Sequence, residues 1–263
     1  MPKFFVTNKD INNNEIMISG EDVNHIKNVL RKKTGDQLTI CNIDTSVDYL
    51  CEIVKFEKDT IISKLLEELV SNSESNIKVT IFQGLPKADK MELVIQKAVE
   101  LGVYDITPIE MKRCIVKLTD KDKIKKLQRW QKIAEVASKQ SGRNTIPKIN
   151  EIKSIKNICN LSTDYDIVIV AYENEKENKL KNELEKLKSN QKKNLKIGIL
   201  IGPEGGIDRE EIELLKESGA KIITLGNRIL RTETVALNML SIIMYEFEVC
   251  ALNRKGEKIE NDK

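Results

Sequence analysis

Two strand-length runs, Asp166-Ile167-Val168-Ile169-Val170-Ala171 and Leu195-Lys196-Ile197-Gly198-Ile199-Leu200-Ile201, are apolar almost without interruption. They narrow what this chain can fold into more than any other feature. A strand wetted on one face alternates apolar and polar residues, whereas one that is apolar on both faces must be covered on both, as at the centre of a mostly parallel sheet. Parallel neighbours in turn require crossover connections, usually helical. The surrounding sequence supplies them. Residues 77–82 and 105–109 read as further strands. Between these, Asp89 with Glu92 predicts a helix start, Val94, Ala98 and Leu101 give that helix a buried face, and Gly102 ends it. A long helix is predicted from about Asp120 to Gln140, with Ile124, Leu127, Trp130, Ala134 and Ala137 at helical spacing, and residues 173–188 read as a charged helix. Alternating elements of these lengths mean an α/β domain. The Lys- and Asn-rich tract 182–196 reads as a solvated face.

The first seventy or so residues follow another pattern. Lys3–Val6, Glu15–Ser19, Gln37–Asn42 and residues 49–56 and 60–66 are strand-length runs bounded by turn residues, which suits a small barrel. Ser19 and Asp22 are expected to cap one helix running to about Leu30, and Gly35-Asp36 then turns the chain. The polar stretch 71–76 reads as a linker, giving a first domain of residues 1–71 and a second of 72–263.

Charge alone says little about partners, because 44 Lys and Arg face 41 Asp and Glu for a net +3. Any nucleic-acid argument has to come from where the cations sit. Cys41, Cys51, Cys114, Cys159 and Cys250 are odd in number and lack a C-x-x-C spacing, so neither a disulfide framework nor a zinc site is expected. A single His25 argues against a His-based metal site or triad. The N-terminus lacks the apolar stretch of a signal peptide, and the most apolar segment, 235–245, is broken by Asn238 and Ser241. A soluble, cytosolic protein with no membrane partner and no metal is expected.

Gly202-Pro203-Glu204-Gly205-Gly206, directly after the second apolar run, is the first segment that suggests chemistry. Glycines there let a backbone approach a ligand closely, and ligands collect at the carboxyl ends of strands in open α/β sheets. A tight turn that needs glycine for geometry alone is the plainer explanation, and three glycines in five residues tilt the balance towards function. Asp208 with Glu211 caps the next helix, which ends at Gly219. The segment is neither a G-x-x-x-x-G-K-[ST] triphosphate loop nor a G-x-G-x-x-G dinucleotide loop. Its acid would repel a pyrophosphate and better suits a ligand with a cationic centre and an adenosine, such as S-adenosylmethionine.

The second segment is Leu225-Gly226-Asn227-Arg228-Ile229-Leu230-Arg231-Thr232-Glu233-Thr234, between a strand at 221–225 and a final helix at 234–251. Thr232 can cap that helix, and Glu233 suits its first turn. Arg231 beside a helix N-terminus makes a donor-rich pocket for a phosphate or an electron-rich base, although a salt bridge to Glu233 or Glu204 would also account for it. The final helix carries Val235, Leu237, Met239, Leu240, Ile242, Ile243, Met244 and Phe247 around most of its circumference, so it is either core or partly covered by a second subunit. Lys125, Arg129, Lys132 and Lys139, with Arg143 beyond them, form a basic stripe on the long helix. Lys112, Arg113 and Lys117 lie upstream, and Lys27, Arg31, Lys32 and Lys33 mark the first domain. Such stripes can track a phosphate backbone.

These residues resemble the RsmE family of 16S rRNA uridine-N3 methyltransferases in the SPOUT superfamily. Besides the two strings above, residues 87–103, Arg129-Trp130-Gln131-Lys132-Ile133-Ala134 and His25-Ile26-Lys27-Asn28-Val29-Leu30-Arg31 look like family segments, and the likeness runs in order over nearly the whole chain. Val235 departs from the pattern, where alanine is usual. The resemblance implies a PUA-like β-barrel followed by a SPOUT domain with a deep trefoil knot, and a homodimer. It implies that S-adenosyl-L-methionine is held by Ala171 and Tyr172, by Gly202, Glu204, Gly205 and Gly206, and by Leu225, Gly226, Ile229, Leu230, Arg231 and Thr232. The implied reaction places a methyl group on N3 of a uridine in small-subunit 16S rRNA, on an unpaired or flipped base because N3 lies on the pairing edge. Arg231 is then the candidate to stabilise developing negative charge, and Glu204 or Glu233 to accept the proton. Lys27, Arg31, Arg113, Arg129 and Arg143 are candidate RNA contacts. Two other classes compete: a non-catalytic RNA-binding assembly factor, which would bind no donor, and a dinucleotide enzyme, which would bind NAD.

Overall fold

A computed structural model describes residues 3–70, 73–190 and 192–256, so positions 71 and 72 at the expected domain boundary lie outside the described residues, as does the side chain of Cys250. The chain divides into two compact units, Met1–Glu74 with Glu135–Ile146, and Ser75–Ala134 with Pro147–Lys263.

The second unit is organised by the two apolar runs, which form β11 (Ile167–Ala171) and β12 (Lys196–Ile201). They pair in parallel, β12 also pairs with β7 (Lys78–Gly84), and β7 pairs with β8 (Asp105–Glu110). Two short strands, β9 (Lys148–Ile149) and β10 (Lys153–Ser154), pair with β8, and β13 (Lys221–Ile223) completes the other side on β11. All of these pairs are parallel, and the central strands are covered on both faces: Ile81, Ile169, Ile197 and Ile199 are fully buried. Helices α2 (Lys90–Glu100), α3 (Asp120–Ser141), α4 (Ile155–Leu161), α5 (Leu180–Ser189), α6 (Arg209–Glu217) and α7 (Thr232–Gly256) supply the crossovers and the end of the described chain.

Local chemistry explains most boundaries. Past the end of α2, Gly102 takes a left-handed φ of 90°, and the amides of Gly102 and Val103 return to the carbonyls of Val99 and Ala98. At the start of α6, Asp208 accepts from Glu210 N–H and Glu211 accepts from Asp208 N–H, the expected capping pair. Other expectations need correction. Asp89 stands at the N-cap of α2 without a side-chain cap bond, and Glu92 is spent on Arg129. Leu101 is exposed rather than buried because the helix has ended, and Ile124 lies on the wet side of α3. Residues 173–179 are loop rather than helix: Glu175 turns back to accept the amides of Lys176, Glu177 and Asn178, which removes them from a helical ladder. β9, β10 and α4 were not foreseen.

The first unit holds β1 (Lys3–Val6), β2 (Ile11–Asn12), β3 (Glu15–Ser19), β4 (Gln37–Asn42), β5 (Val47–Phe56) and β6 (Thr60–Leu69), in the order β1-β4-β5-β6-β3-β2. The β1–β4 pair is parallel and the rest antiparallel, a mixed sheet curled into a half-barrel over a core that includes Phe4, Ile16, Ile26, Ile40 and Ile53. Its helix α1 (Glu21–Asn24) starts from Gly20, not from Ser19, which is the last residue of β3, and widens into a looser turn over His25–Val29. Asp22 pairs with Lys139 instead of capping. A buried polar cluster fastens residues 142–145 in this unit. Lys3 Nζ donates to Asp48, to Gly142 O and to Asn144, and Glu74 receives Arg143 and the amide of Asn144.

Candidate functional site

The carboxyl ends of β11 and β12, and the stretch after β13, surround one cavity of about 850 Å³. Open parallel sheets gather ligands there because loops on successive strands converge without side chains of the sheet in the way. Ala171 and Tyr172 follow β11, Gly202, Glu204, Gly205 and Gly206 follow β12, and Leu225, Gly226, Ile229, Leu230, Arg231 and Thr232 follow β13; all of them line this cavity. The structure thus brings together every residue read as a donor contact. Of the three catalytic candidates, Glu204 and Arg231 line the cavity, and Glu233 stands behind Lys90, which does.

The loop at 202–206 is set by contacts within the chain. A Cβ on Gly202 would lie 2.8 Å from Ile207 Cγ1, and one on Gly205 would lie 3.0 Å from Arg113 O. Gly206 closes the turn, its N–H donating to Pro203 O at 2.9 Å with φ at 72°. Glycine is required here by the protein's own backbone and Arg113, so a larger residue at position 205 would press on the segment at Arg113 before it reached a ligand. Gly84, at the end of β7, plays the same part for Pro203, which a Cβ would approach to 2.7 Å.

Thr232 ties three elements together. Its hydroxyl donates to Gly202 O at 2.7 Å and accepts from Gln83 Nε2 at 2.8 Å, and Gln83 also donates to Gly84 O. Arg231 O accepts the amide of Val235, so Arg231 rather than Thr232 holds the cap position of α7. Gln83 is fully buried and its Oε1 has no partner among the described residues. Sequence reading missed Gln83, although an amide at the end of a buried strand is a signal in itself.

Lys90 was also missed as a site residue. Its ammonium lies 3.0 Å from Glu204 Oε1 and 3.4 Å from Glu233 Oε2. A cation in the first turn of α2 opposes the helix dipole, which could have marked it. Burial pushes the Glu204 carboxyl up, but its own amide, Lys90 and the Lys87 amide outweigh this and hold it below the ordinary carboxylate range. The Glu204 pair with Lys90 pushes the ammonium up in turn. The charge of Glu204 is therefore balanced by Lys90, and the salt bridge foreseen from Arg231 to Glu204 or Glu233 is not formed.

The cations read as RNA contacts divide. Lys27 and Arg31 are exposed, and Arg31 holds a left-handed φ of 55° just past the widened turn. Arg129 is exposed and paired with Glu92, and Arg113 is pinned to Gly205 O and Asp208. Arg143 is only 5% exposed, its guanidinium 2.6 Å from Glu74, and so is turned inwards; Lys139 is held by Asp22 and Glu135. Among the described residues no cluster of His, Cys, Asp and Glu could hold a metal, and no helix is long and apolar enough to cross a membrane.

The chain is similar to known proteins over both units. The pattern of the RNA methyltransferase domain matches residues 73–244, and that of the RNA methyltransferase PUA domain matches residues 18–66. A ribosomal RNA small subunit methyltransferase E of Bacillus subtilis is 40% identical over 232 residues, 88% of this chain and 90% of that protein. A ribosomal RNA small subunit methyltransferase E of Neisseria gonorrhoeae, solved bound to S-adenosyl methionine, superposes with a TM-score of 0.79 at 29% identity, covering 93% of this chain and 97% of that one. A Legionella pneumophila protein solved with the cofactor SAM gives 0.80 at 29% identity, over 92% and 96% of the two chains. With both domains matched and the cavity at the same place in the chain order as its expected motifs, this chain belongs to the RNA methyltransferase family that includes the ribosomal RNA small subunit methyltransferases E.

Proposed function

We propose that this protein transfers a methyl group from S-adenosyl-L-methionine to N3 of a uridine in 16S ribosomal RNA of the small subunit, in the cytoplasm and as a homodimer. The observation that carries the reading is the cavity that 202–206 and 225–232 share, whose size suits a ligand of this kind. Its wall is mixed as such a donor requires: Leu225, Ile229 and Leu230 offer apolar surface, and Glu173 and Glu204 offer carboxylates. When bound, the donor supplies an electrophilic methyl group. The chain's own task is to hold the base for in-line attack and to favour loss of its N3 proton. Arg231 is the group for the negative charge that then spreads onto the base's carbonyl oxygens. Glu204 is a weak base because three donors hold its charged form. Glu204 or Glu233, both held by Lys90, is the group to accept the proton.

Residues 1–71 serve as the RNA-binding domain in this reading. Lys27 and Arg31 carry the contact, together with Arg129 and Arg113 of the second unit. Arg31 supports it because a left-handed arginine is a strained choice where glycine would do. The trefoil knot belongs to the same reading, supported by β12 lying between β7 and β11 while Thr232, beyond β13, bonds back to Gly202 and Gln83. Exposed Tyr245 and part-exposed Ile242 and Phe247 on α7 suit a second copy.

Mass mapping of 16S rRNA after incubation with labelled donor tests the reading, with naked RNA compared against assembled small subunits. One methyl on uridine N3, obtained on subunits in preference to naked RNA, is expected. No donor binding would instead favour a non-catalytic assembly factor.

A further inference from the structure

The cavity wall carries eight charged side chains, five cations and three carboxylates, although the donor expected there is itself a cation. Two of the carboxylates are already engaged. Glu204 is held by Lys90 and the Lys87 amide, and Glu175 accepts the amides of Lys176, Glu177 and Asn178 in its own turn. Glu173 is left, with no hydrogen bond or ion pair among the described residues. Surface glutamates often have no partner, and this one is set apart by where its carboxylate lies. It reaches from the loop after β11 onto the loop after β12, where a Cβ on Gly206 would come within 2.4 Å of Oε1 and 3.5 Å of Oε2. The bare α-carbon of Gly206 thus leaves room for the carboxylate where two of the segments that build the cavity meet. Four wall cations, Lys176, Lys179, Arg228 and Arg231, form no ion pair among the described residues, and none of them draws Glu173 away.

We infer that Glu173 is a specificity-determining residue that receives a positive centre of the ligand in this cavity. The inference rests on the methyl-donor reading and assigns recognition of the ligand's charge to one side chain. S-adenosyl-L-methionine offers two such centres, a sulfonium and an α-ammonium. A sulfonium has no proton to donate, so the field of a nearby anion is what recognises it, whereas an ammonium adds directed hydrogen bonds. Either centre meets a wall whose other unpaired charges are cationic and repel it. Glu173 is the wall carboxylate available to offset them, and it can do so without breaking an existing pair. Neutralising it should therefore weaken charged ligands and leave an uncharged one with the same adenosine unaffected.

Calorimetric titration of the full chain with three ligands that share the adenosine tests this. S-adenosyl-L-methionine carries both cations, S-adenosylhomocysteine keeps only the ammonium, and methylthioadenosine has neither. Glu173→Gln is expected to weaken S-adenosyl-L-methionine by about fivefold, the upper worth of an exposed ion pair, and to leave methylthioadenosine unchanged. An equal loss for S-adenosylhomocysteine assigns the ammonium to Glu173, and an unchanged affinity for it assigns the sulfonium. Glu173→Asp, which draws the carboxylate back by one methylene, should give a smaller loss. Glu177→Gln removes the same charge from the same loop away from the cavity wall, and it should bind all three ligands as the native protein does. Unchanged affinity for S-adenosyl-L-methionine in Glu173→Gln overturns the inference, as does an equal loss for methylthioadenosine or the same loss in Glu177→Gln. A native protein that binds none of the three defeats the methyl-donor reading and the inference with it, whereas native binding that is indifferent to Glu173→Gln defeats the inference alone.

Discussion

The loop after β12 and the stretch after β13 line the same cavity, and they are built in opposite ways. In the first, Gly202, Gly205 and Gly206 are each required by contacts or dihedrals of the chain itself, Glu204 is held by Lys90 and Lys87, and Thr232 bonds Gly202 from the far side. In the second, Gly226 faces open space although its φ of 110° still calls for glycine, Ile229 is 91% exposed and Arg231 has no acidic partner among the described residues. One wall is finished before a ligand arrives, and the other keeps its apolar and cationic groups unused. The same contrast recurs in the first unit, where Arg143 is buried on Glu74 while Arg31 is exposed. A cation that is already satisfied contributes to the fold, and one left open at a cost points to recognition.

Breaking the contrast on its open side should give the largest effect. Arg231→Ala is expected to lower turnover by about 100-fold, the usual worth of one donor aimed at developing charge, with little change in donor affinity. Single-turnover rates beside calorimetric donor binding distinguish this, and a selective loss of donor affinity would move Arg231 to the cofactor. On the finished side, Thr232→Val keeps the shape and removes the hydroxyl, leaving Gln83 and Gly202 O without it. Urea unfolding should show a loss of about 2 kcal/mol, and native stability would mean the node is ornamental.

Ile229→Ser sharpens the comparison. Unfolding should stay within about 0.5 kcal/mol of native because the side chain is exposed. Donor affinity should fall by about tenfold, the value of one apolar side chain covering a ligand. Equal affinity would take Ile229 off the donor. The smallest effect is expected from Arg31→Gly, which relieves a left-handed arginine: stability rises by about 1 kcal/mol while RNA affinity drops. A gain in stability with unchanged RNA binding would leave the strain without a purpose.

The large features were legible because they are local. Continuous apolar strands, glycine past a helix end and the Asp208–Glu211 cap are read within a few residues of themselves, and the structure places β11, β12, α3 and α6 close to where those signals put them. The two segments at 202–206 and 225–234 were legible for the same reason, since loops at the carboxyl ends of parallel strands converge by topology, whereas the individual cavity residues came from the family resemblance. Where local signals compete with distant partners, they failed. Glu92 and Asp22 resemble caps in sequence and are ion-pair partners in space, and Glu175 breaks a helix that charge patterning had continued.

Sequence alone determined that this chain holds an α/β unit with a ligand site after two particular strands, together with the family motifs that fill it. Only the tertiary structure decided which charges there are already spent: that Lys90 answers Glu204 and Glu233, that Arg143 faces Glu74, and that Gln83 reaches Thr232. Periodicity and turn chemistry act through neighbours along the chain, so they can be read from order. An ion pair or a buried hydrogen bond is chosen among groups brought together by folding, with separations of 69 residues for Arg143 and Glu74 and 149 for Gln83 and Thr232, and no sequence pattern encodes that choice.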